Sequence, residues 1–152
     1  MFDFLKHHLK PKNGFIVDPR GKKLGQHKSA SFYTIGQREG LGLTDGPWYV
    51  YAVDVRKNLV RVTNKSQDSR LYTKRFNVEN IHWVSGIAPV KPVHCTVEVR
   101  YHQRQPRSGV VGKIGRRWVV TLAEPERAVT PGQHAVFYQK DVVMGGGVID
   151  RI

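Results

Sequence analysis

Three stretches of the chain set planar polar or cationic side chains among glycine, proline or aromatic neighbours. In "TIGQREGLG" the glycines clear side-chain bulk from around Gln37 and Arg38. An amide and a guanidinium placed there can reach phosphate, ribose or base edges. "VRYHQRQPR" carries Arg100, Arg104 and Arg107 with Tyr101 among them. In such a pattern the ring can stack on a base while guanidiniums hold phosphate. "AVTPGQHAVFY" presents Gln133 directly after a Pro131-Gly132 turn and just before a strand. All three offer the chemistry of holding a ligand rather than of making or breaking a bond.

Bond-making chemistry finds no support elsewhere. The histidines, His7, His8, His27, His82, His94, His102 and His134, show no zinc-site spacing and have no cysteine cluster beside them. The lone Cys95 lies in the alternating run "VHCTVEVR". It reads as a core residue of a strand, because no basic residue that would lower its pKa is identifiable. "GLGLTDG" has the wrong spacing for a dinucleotide fingerprint, and a Walker loop is absent. Acidic residues are few and scattered. Glu124 and Glu126 flank Pro125 in what reads as a turn, and no carboxylate pair stands out for general acid and base work.

The charge balance agrees with a binding role. The 152 residues hold 25 Lys and Arg against 12 Asp and Glu, a net charge of +13 and a pI near 10.2. An excess of one sign on this scale steers a polyanion, nucleic acid ahead of an acidic membrane surface. The basic residues are spread along the chain, unlike a localisation signal or polybasic tail. No apolar segment approaches the ~20 residues that span a bilayer, and "MFDFLKHHLK" lacks a signal peptide's apolar core. The expectation is a soluble, cytoplasmic protein.

The elements that must position these groups read as mainly β. "MFDFLKHHL" suits a short amphipathic helix over the first dozen residues. "GFIVDPRGKKLG" reads as strand, Asp-Pro-Arg-Gly turn and strand, and "WYVYAVDVRKNLVRVTN" as a second hairpin bending at Arg56 to Asn58. Between them lies the glycine-rich loop of Gln37 and Arg38. The prolines of "IAPVKPV" mark a domain boundary. Beyond them "HCTVEVRY", "SGVVGKI", "RWVVTLAE", "HAVFY", "DVVMG" and "GGVIDRI" are six short strands, the makings of a small closed barrel. The expected organisation is a helical segment over 1–12, a small β-rich domain over 13–86 and a six-stranded barrel over 87–152.

Taken together, "GFIVDPRGKKLGQHKSASFYTIGQREGLGL", "PWYVYAVD", "NIHWV", "CTVEVRYHQ" and "EPERAVTPGQHAVFYQKDVVMGGGVI" resemble the C-terminal part of the tRNA-specific 2-thiouridylases, the MnmA/TrmU family. The resemblance runs from about Phe4 to Ile149. It implies a β-rich central domain and a barrel similar to the second domain of elongation factors, both helping to hold tRNA. It also implies the whole enzyme's reaction. ATP adenylates the C2 oxygen of the wobble uridine of tRNAs for Lys, Glu and Gln, and persulfide sulfur then replaces that oxygen.

In that family ATP, with Mg, is bound by an N-terminal domain bearing "SGGxDS", and two cysteines carry the sulfur. This chain has neither "SGGxDS" nor those cysteines, which would lie upstream of Met1. The resemblance therefore implies no cofactor within this chain and no activity for it alone. It places tRNA contacts on Arg100, Tyr101 and Gln133. Gln37, Arg38, Arg104 and Arg107 stand as candidates for RNA or interdomain contact. The expected partners are tRNA, the family's N-terminal catalytic domain and sulfur-relay proteins, with no membrane. The alternative is a protein-interaction module that docks a separate catalytic subunit or a sulfur-relay protein.

Overall fold

A computed structural model of the chain describes residues 13–100, 105–150 and 152. The helix expected near the N-terminus falls outside the described residues. The chain forms two compact units that divide between Leu71 and Tyr72.

The first unit is a four-stranded sheet of order β2-β1-β4-β3. Its strands are β1 (Gly14–Val17), β2 (Lys23–His27), β3 (Tyr49–Asp54) and β4 (Leu59–Thr63). Asp18 builds the first hairpin: its Oδ1 accepts the Arg20 and Lys22 N–H groups at 2.9 and 2.8 Å. Gly21 supplies the left-handed residue, at φ 84°. In the second hairpin Asp54 Oδ1 accepts the Lys57 N–H at 2.9 Å, and Asn58 turns the chain at φ 51°. A parallel pairing of β1 with β4, Ile16 opposite Val60, joins the two hairpins. Ile16, Ala30, Leu41, Val50, Val60 and Val62 form the core beneath them.

The second unit is a closed barrel of order β10-β5-β8-β7-β6-β9, antiparallel at each junction. Its strands are β5 (Tyr72–Trp83), β6 (Val93–Glu98), β7 (Arg107–Ile114), β8 (Arg117–Arg127), β9 (His134–Gln139) and β10 (Val142–Ile149). Phe76, Phe137, Leu122, Ile149 and a set of valines fill it, and Trp83 packs against Trp118 and Phe137 with ring centroids 5.2 and 5.8 Å apart. Cys95 is part of this core, and burial pushes its thiol pKa up. Among the described residues no helix is long and apolar enough to cross a membrane.

The barrel has six strands, but not the six that the sequence suggests. "DVVMG" and "GGVID" belong to one strand, β10, whose glycines mark close backbone approach and not a turn. A Cβ on Gly145 would lie 2.5 Å from the His82 carbonyl oxygen, and one on Gly147 2.6 Å from that of Glu79. The sixth strand is β5, upstream of the prolines. "IAPVKPV" thus links β5 to β6 inside the barrel unit, and the units part at residue 71 where the sequence suggested 86. A loop and a linker carry the same proline signal, and only the pairing of β5 with β8 and β10 separates them.

After β4 the chain is held by Asp68. Its buried carboxylate accepts Arg70 Nε and Nη2 at 2.8 and 2.6 Å and the Thr63 hydroxyl at 2.8 Å, while Arg70 lies over the Tyr51 ring. The Arg70 guanidinium holds the Asp68 carboxyl well below the usual carboxylate range. A carboxyl whose folded pKa is depressed stabilises the fold above its unfolded pKa, and loses that contribution as pH falls. Asp68→Asn should therefore be less stable than wild type at pH 7, by on the order of 1 kcal/mol given the exposed Arg70 side. In urea unfolding the difference should shrink as pH falls below about 4. An equal difference at pH 7 and pH 2.5 would show that Asp68 acts through packing alone.

Candidate nucleic-acid interface

In the glycine-rich loop the side chain of Gln37 is turned inward on its own segment. Its Oε1 accepts the Thr34 N–H at 3.0 Å, and its Nε2 donates to the Glu39 carbonyl at 2.9 Å. The backbone of the same segment pairs with β3. Gly36 N–H donates to the Val50 carbonyl at 2.7 Å, and the Val50 N–H donates to the Gln37 carbonyl at 3.0 Å. Gln37 therefore shapes the loop, a role that the sequence reading did not give it. Arg38 is exposed on the loop's outer side, beside a recess walled by Leu41, Leu43 and Trp48.

On the barrel, Arg100 and Arg107 converge on one buried carboxylate. Arg100 Nη2 donates to Glu126 Oε1 at 3.0 Å and to the Arg127 carbonyl, and Arg107 Nε donates to Glu126 Oε2 at 2.7 Å. Glu126 is only 7% exposed, so its charge is tolerable there because guanidinium donors pair it. The sequence suggested a turn around Pro125; the structure instead runs it through β8. Pro125 has no N–H to give the ladder, and the pairing jumps from Thr73 opposite Glu126 to Arg75 opposite Thr121. Sequence reasoning missed Glu126 because its partners are distant in the chain. The one available hint was a proline breaking a strand beside an acid.

The two arginine side chains remain 39% and 35% exposed. A guanidinium has five N–H donors, so one face can hold Glu126 while the other stays open to an incoming anion. Tyr101 and Arg104 lie outside the described residues.

Gln133 closes a turn that is tied to the end of β10. Gly132, at φ 88°, donates its N–H to the Ile149 carbonyl at 2.8 Å, and the Ile149 N–H returns a bond to the Gln133 carbonyl at 2.7 Å. The side-chain Oε1 of Gln133 is buried and meets no donor among the described residues. Such an acceptor costs about 1–3 kcal/mol unless something donates to it. Gln133 lines a groove of about 450 Å³ that also takes in Arg100, Glu98, His134 and Tyr138. The Tyr138 hydroxyl donates to Glu98 Oε2 at 3.3 Å, and burial, with the Glu98 carboxylate beside it, pushes the phenol pKa up. Arg100 and Gln133, picked out separately in the sequence, thus line one groove. Among the described residues no His, Cys, Asp and Glu side chains gather as a metal-ligand set.

A small β-rich sheet domain followed by a closed antiparallel barrel is a class of tandem β module, and both halves match known families. Residues 2–64 match the family described as "tRNA methyl transferase PRC-barrel domain", and residues 73–149 the "Aminomethyltransferase beta-barrel domain". The tRNA-specific 2-thiouridylase MnmA of Pseudoalteromonas translucida is 40% identical over 99% of this chain and 43% of its own length. That of Idiomarina loihiensis is 40% identical over 98% of the chain and 42% of its own, and that of Alcanivorax borkumensis 40% over 98% and 43%. The chain belongs to the MnmA family, of which it carries the PRC-barrel and C-terminal β-barrel domains. It spans about two fifths of the length of these relatives.

The Glu126 pairing generates a coupled prediction. Either arginine alone can hold the carboxylate, so Arg100→Ala and Arg107→Ala should each cost about 1 kcal/mol or less, whereas the double variant strands a buried charge. The double variant should lose at least about 1 kcal/mol more than the sum of the singles in urea unfolding. Simple additivity would mean that Glu126 does not depend on this fork.

Proposed function

We propose that this chain is the RNA-holding part of a tRNA-uridine 2-sulfurtransferase that thiolates the wobble uridine of tRNAs for Lys, Glu and Gln. The observation that carries the proposal is the one groove lined by both Arg100, whose guanidinium is partly exposed, and Gln133, whose buried Oε1 has no partner among the described residues. A ribonucleotide has what that groove asks for: phosphate oxygens for Arg100, and a ribose hydroxyl or exocyclic amine as donor to Gln133. The net charge of +13 and relatives named as tRNA-specific enzymes support the same assignment.

Tyr101, which follows Arg100 in the sequence, and Arg104 and Arg107 are further candidates for RNA contact, the first by stacking and the arginines by charge. Arg38 is a second RNA or interdomain contact, on a loop that Gln37 shapes. ATP and Mg, the activation of the uridine and the sulfur-carrying cysteines belong to the catalytic part of the family's enzymes, working in the cytoplasm. This chain contributes binding and orientation, and alone transfers no sulfur.

A second reading has an observation of its own. Val84, Ile87, Val90, Val142 and Val143 are exposed around a largely apolar recess of about 620 Å³ that reaches Trp83 and Met144. Such a face suits docking of a catalytic subunit or sulfur-relay protein, and a complex made through it would withstand high salt.

Binding of unmodified tRNA for Glu separates the two readings. With several phosphates neutralised, affinity should fall by orders of magnitude between about 50 and 200 mM salt. Arg100→Ala/Gln133→Ala should weaken binding at low salt about tenfold or more. A salt-independent affinity, or binding indifferent to the double variant, would overturn the proposal.

A further inference from the structure

The groove of Arg100 and Gln133 does not end at Tyr138. The same ring also walls a second recess, of about 590 Å³, on the outer face of the barrel. We propose that this second recess is a further RNA subsite, which grips the ribose-phosphate backbone of the strand held by Arg100 and Gln133. The proposal rests on the RNA-binding reading above and extends it to residues that the sequence did not single out.

The recess is built from strand register. Tyr138 on β9 stands opposite Thr96 on β6, and Thr96 opposite Ser108 on β7, so three hydroxyl-bearing residues occupy one rung across adjacent strands. Cys95 and Val97, the neighbours of Thr96, are buried in the core, so alternation turns Thr96 outward. Neighbouring strands lie about 4.8 Å apart, so the rung spans roughly 10 Å of backbone and sets the Thr96 and Ser108 hydroxyls side by side, with the Tyr138 ring, whose hydroxyl goes to Glu98, as their wall. Thr121, opposite Val110, adds a further hydroxyl to the same recess. Hydroxyls in a row donate to phosphate and exchange hydrogen bonds with ribose, with no preference for a base.

Two lysines flank the row. Lys74 falls where the β5–β8 ladder breaks, between Thr73 and Arg75, and it is exposed. Lys140 is in the turn between β9 and β10, at φ 54°, and is exposed as well. Neither makes an ion pair among the described residues, and the recess includes no carboxylate. The nearby carboxylate, Glu98, lies in the first groove, where it accepts the Tyr138 hydroxyl. The two recesses therefore differ in what they offer. The first presents a planar amide and a guanidinium, which can sense a particular group. The second presents hydroxyls and point charges, which suit any stretch of backbone.

The test is tRNA binding by the whole chain at a series of salt concentrations. It compares wild type, Lys74→Gln/Lys140→Gln, the first-groove variant Arg100→Ala/Gln133→Ala, and a control, Lys57→Gln/Lys65→Gln, that removes the same charge from the first unit. The subsite predicts that Lys74→Gln/Lys140→Gln lowers the slope of log K against log salt by about one to two and weakens low-salt binding about tenfold. The control should change the slope by less than half as much.

Wild-type behaviour of Lys74→Gln/Lys140→Gln, or an equal loss in the control, would overturn the subsite. The RNA-binding reading would still stand if the Arg100→Ala/Gln133→Ala variant were weakened. Absence of tRNA binding by wild type would overturn both.

Discussion

A carboxylate held in a protein interior by two guanidiniums organises the barrel's proposed binding face. Glu126 is buried, and desolvating an unpaired carboxylate is prohibitive, so its position demands a cationic partner. Arg100 and Arg107 meet that demand from the two ends of the segment that joins β6 to β7. The consequence is positional. Two long side chains that would otherwise sample many rotamers are aimed in advance, which reduces the ordering cost when an anion arrives. Pro125, by breaking the ladder beside Glu126, belongs to the same device.

Around this fork the barrel supplies rigidity at little side-chain bulk. The glycines of β10 let the strand lie against the β5 and β9 backbones, and Gly132 and Gln133 of the turn are pinned to Ile149. Gln133 is thereby held on a fixed base, with its buried acceptor unpaired among the described residues. The glycine-rich loop of the first unit uses similar residues for a different purpose. There the amide of Gln37 closes the loop on itself, leaving Arg38 as its outward-facing group.

Much of the fold can be read from local patterns. Asp18-Pro19-Arg20-Gly21 specifies its turn through side-chain and φ preferences that need no distant partner, and the structure has that turn. The alternation in β6 likewise marks Cys95 as core. What was not legible depends on pairing between distant segments. Nothing in "RFNVENIHW" says that it closes a barrel, and "MGGG" reads as a break until the neighbouring backbones are seen to press on it. For the site, Arg100 and Gln133 could be nominated from residue type and turn chemistry. Glu126, Thr96, Ser108 and Lys74 could not, because what brings them together is register between strands. Tyr101 and Arg104 lie outside the described residues, so their nomination rests on the sequence alone.

Where RNA meets the barrel can be mapped residue by residue with the ¹⁵N-labelled chain titrated with unmodified tRNA at low salt, following the amide and side-chain resonances. If the Glu126 fork and the Gln133 turn organise the contact, the largest changes fall on Arg100, Gln133 and its side-chain amide, and Tyr138, while the Gln37 amide shifts little. Changes confined to the exposed apolar face of Ile87, Val90 and Val142, or spread evenly over the basic surface, would contradict it.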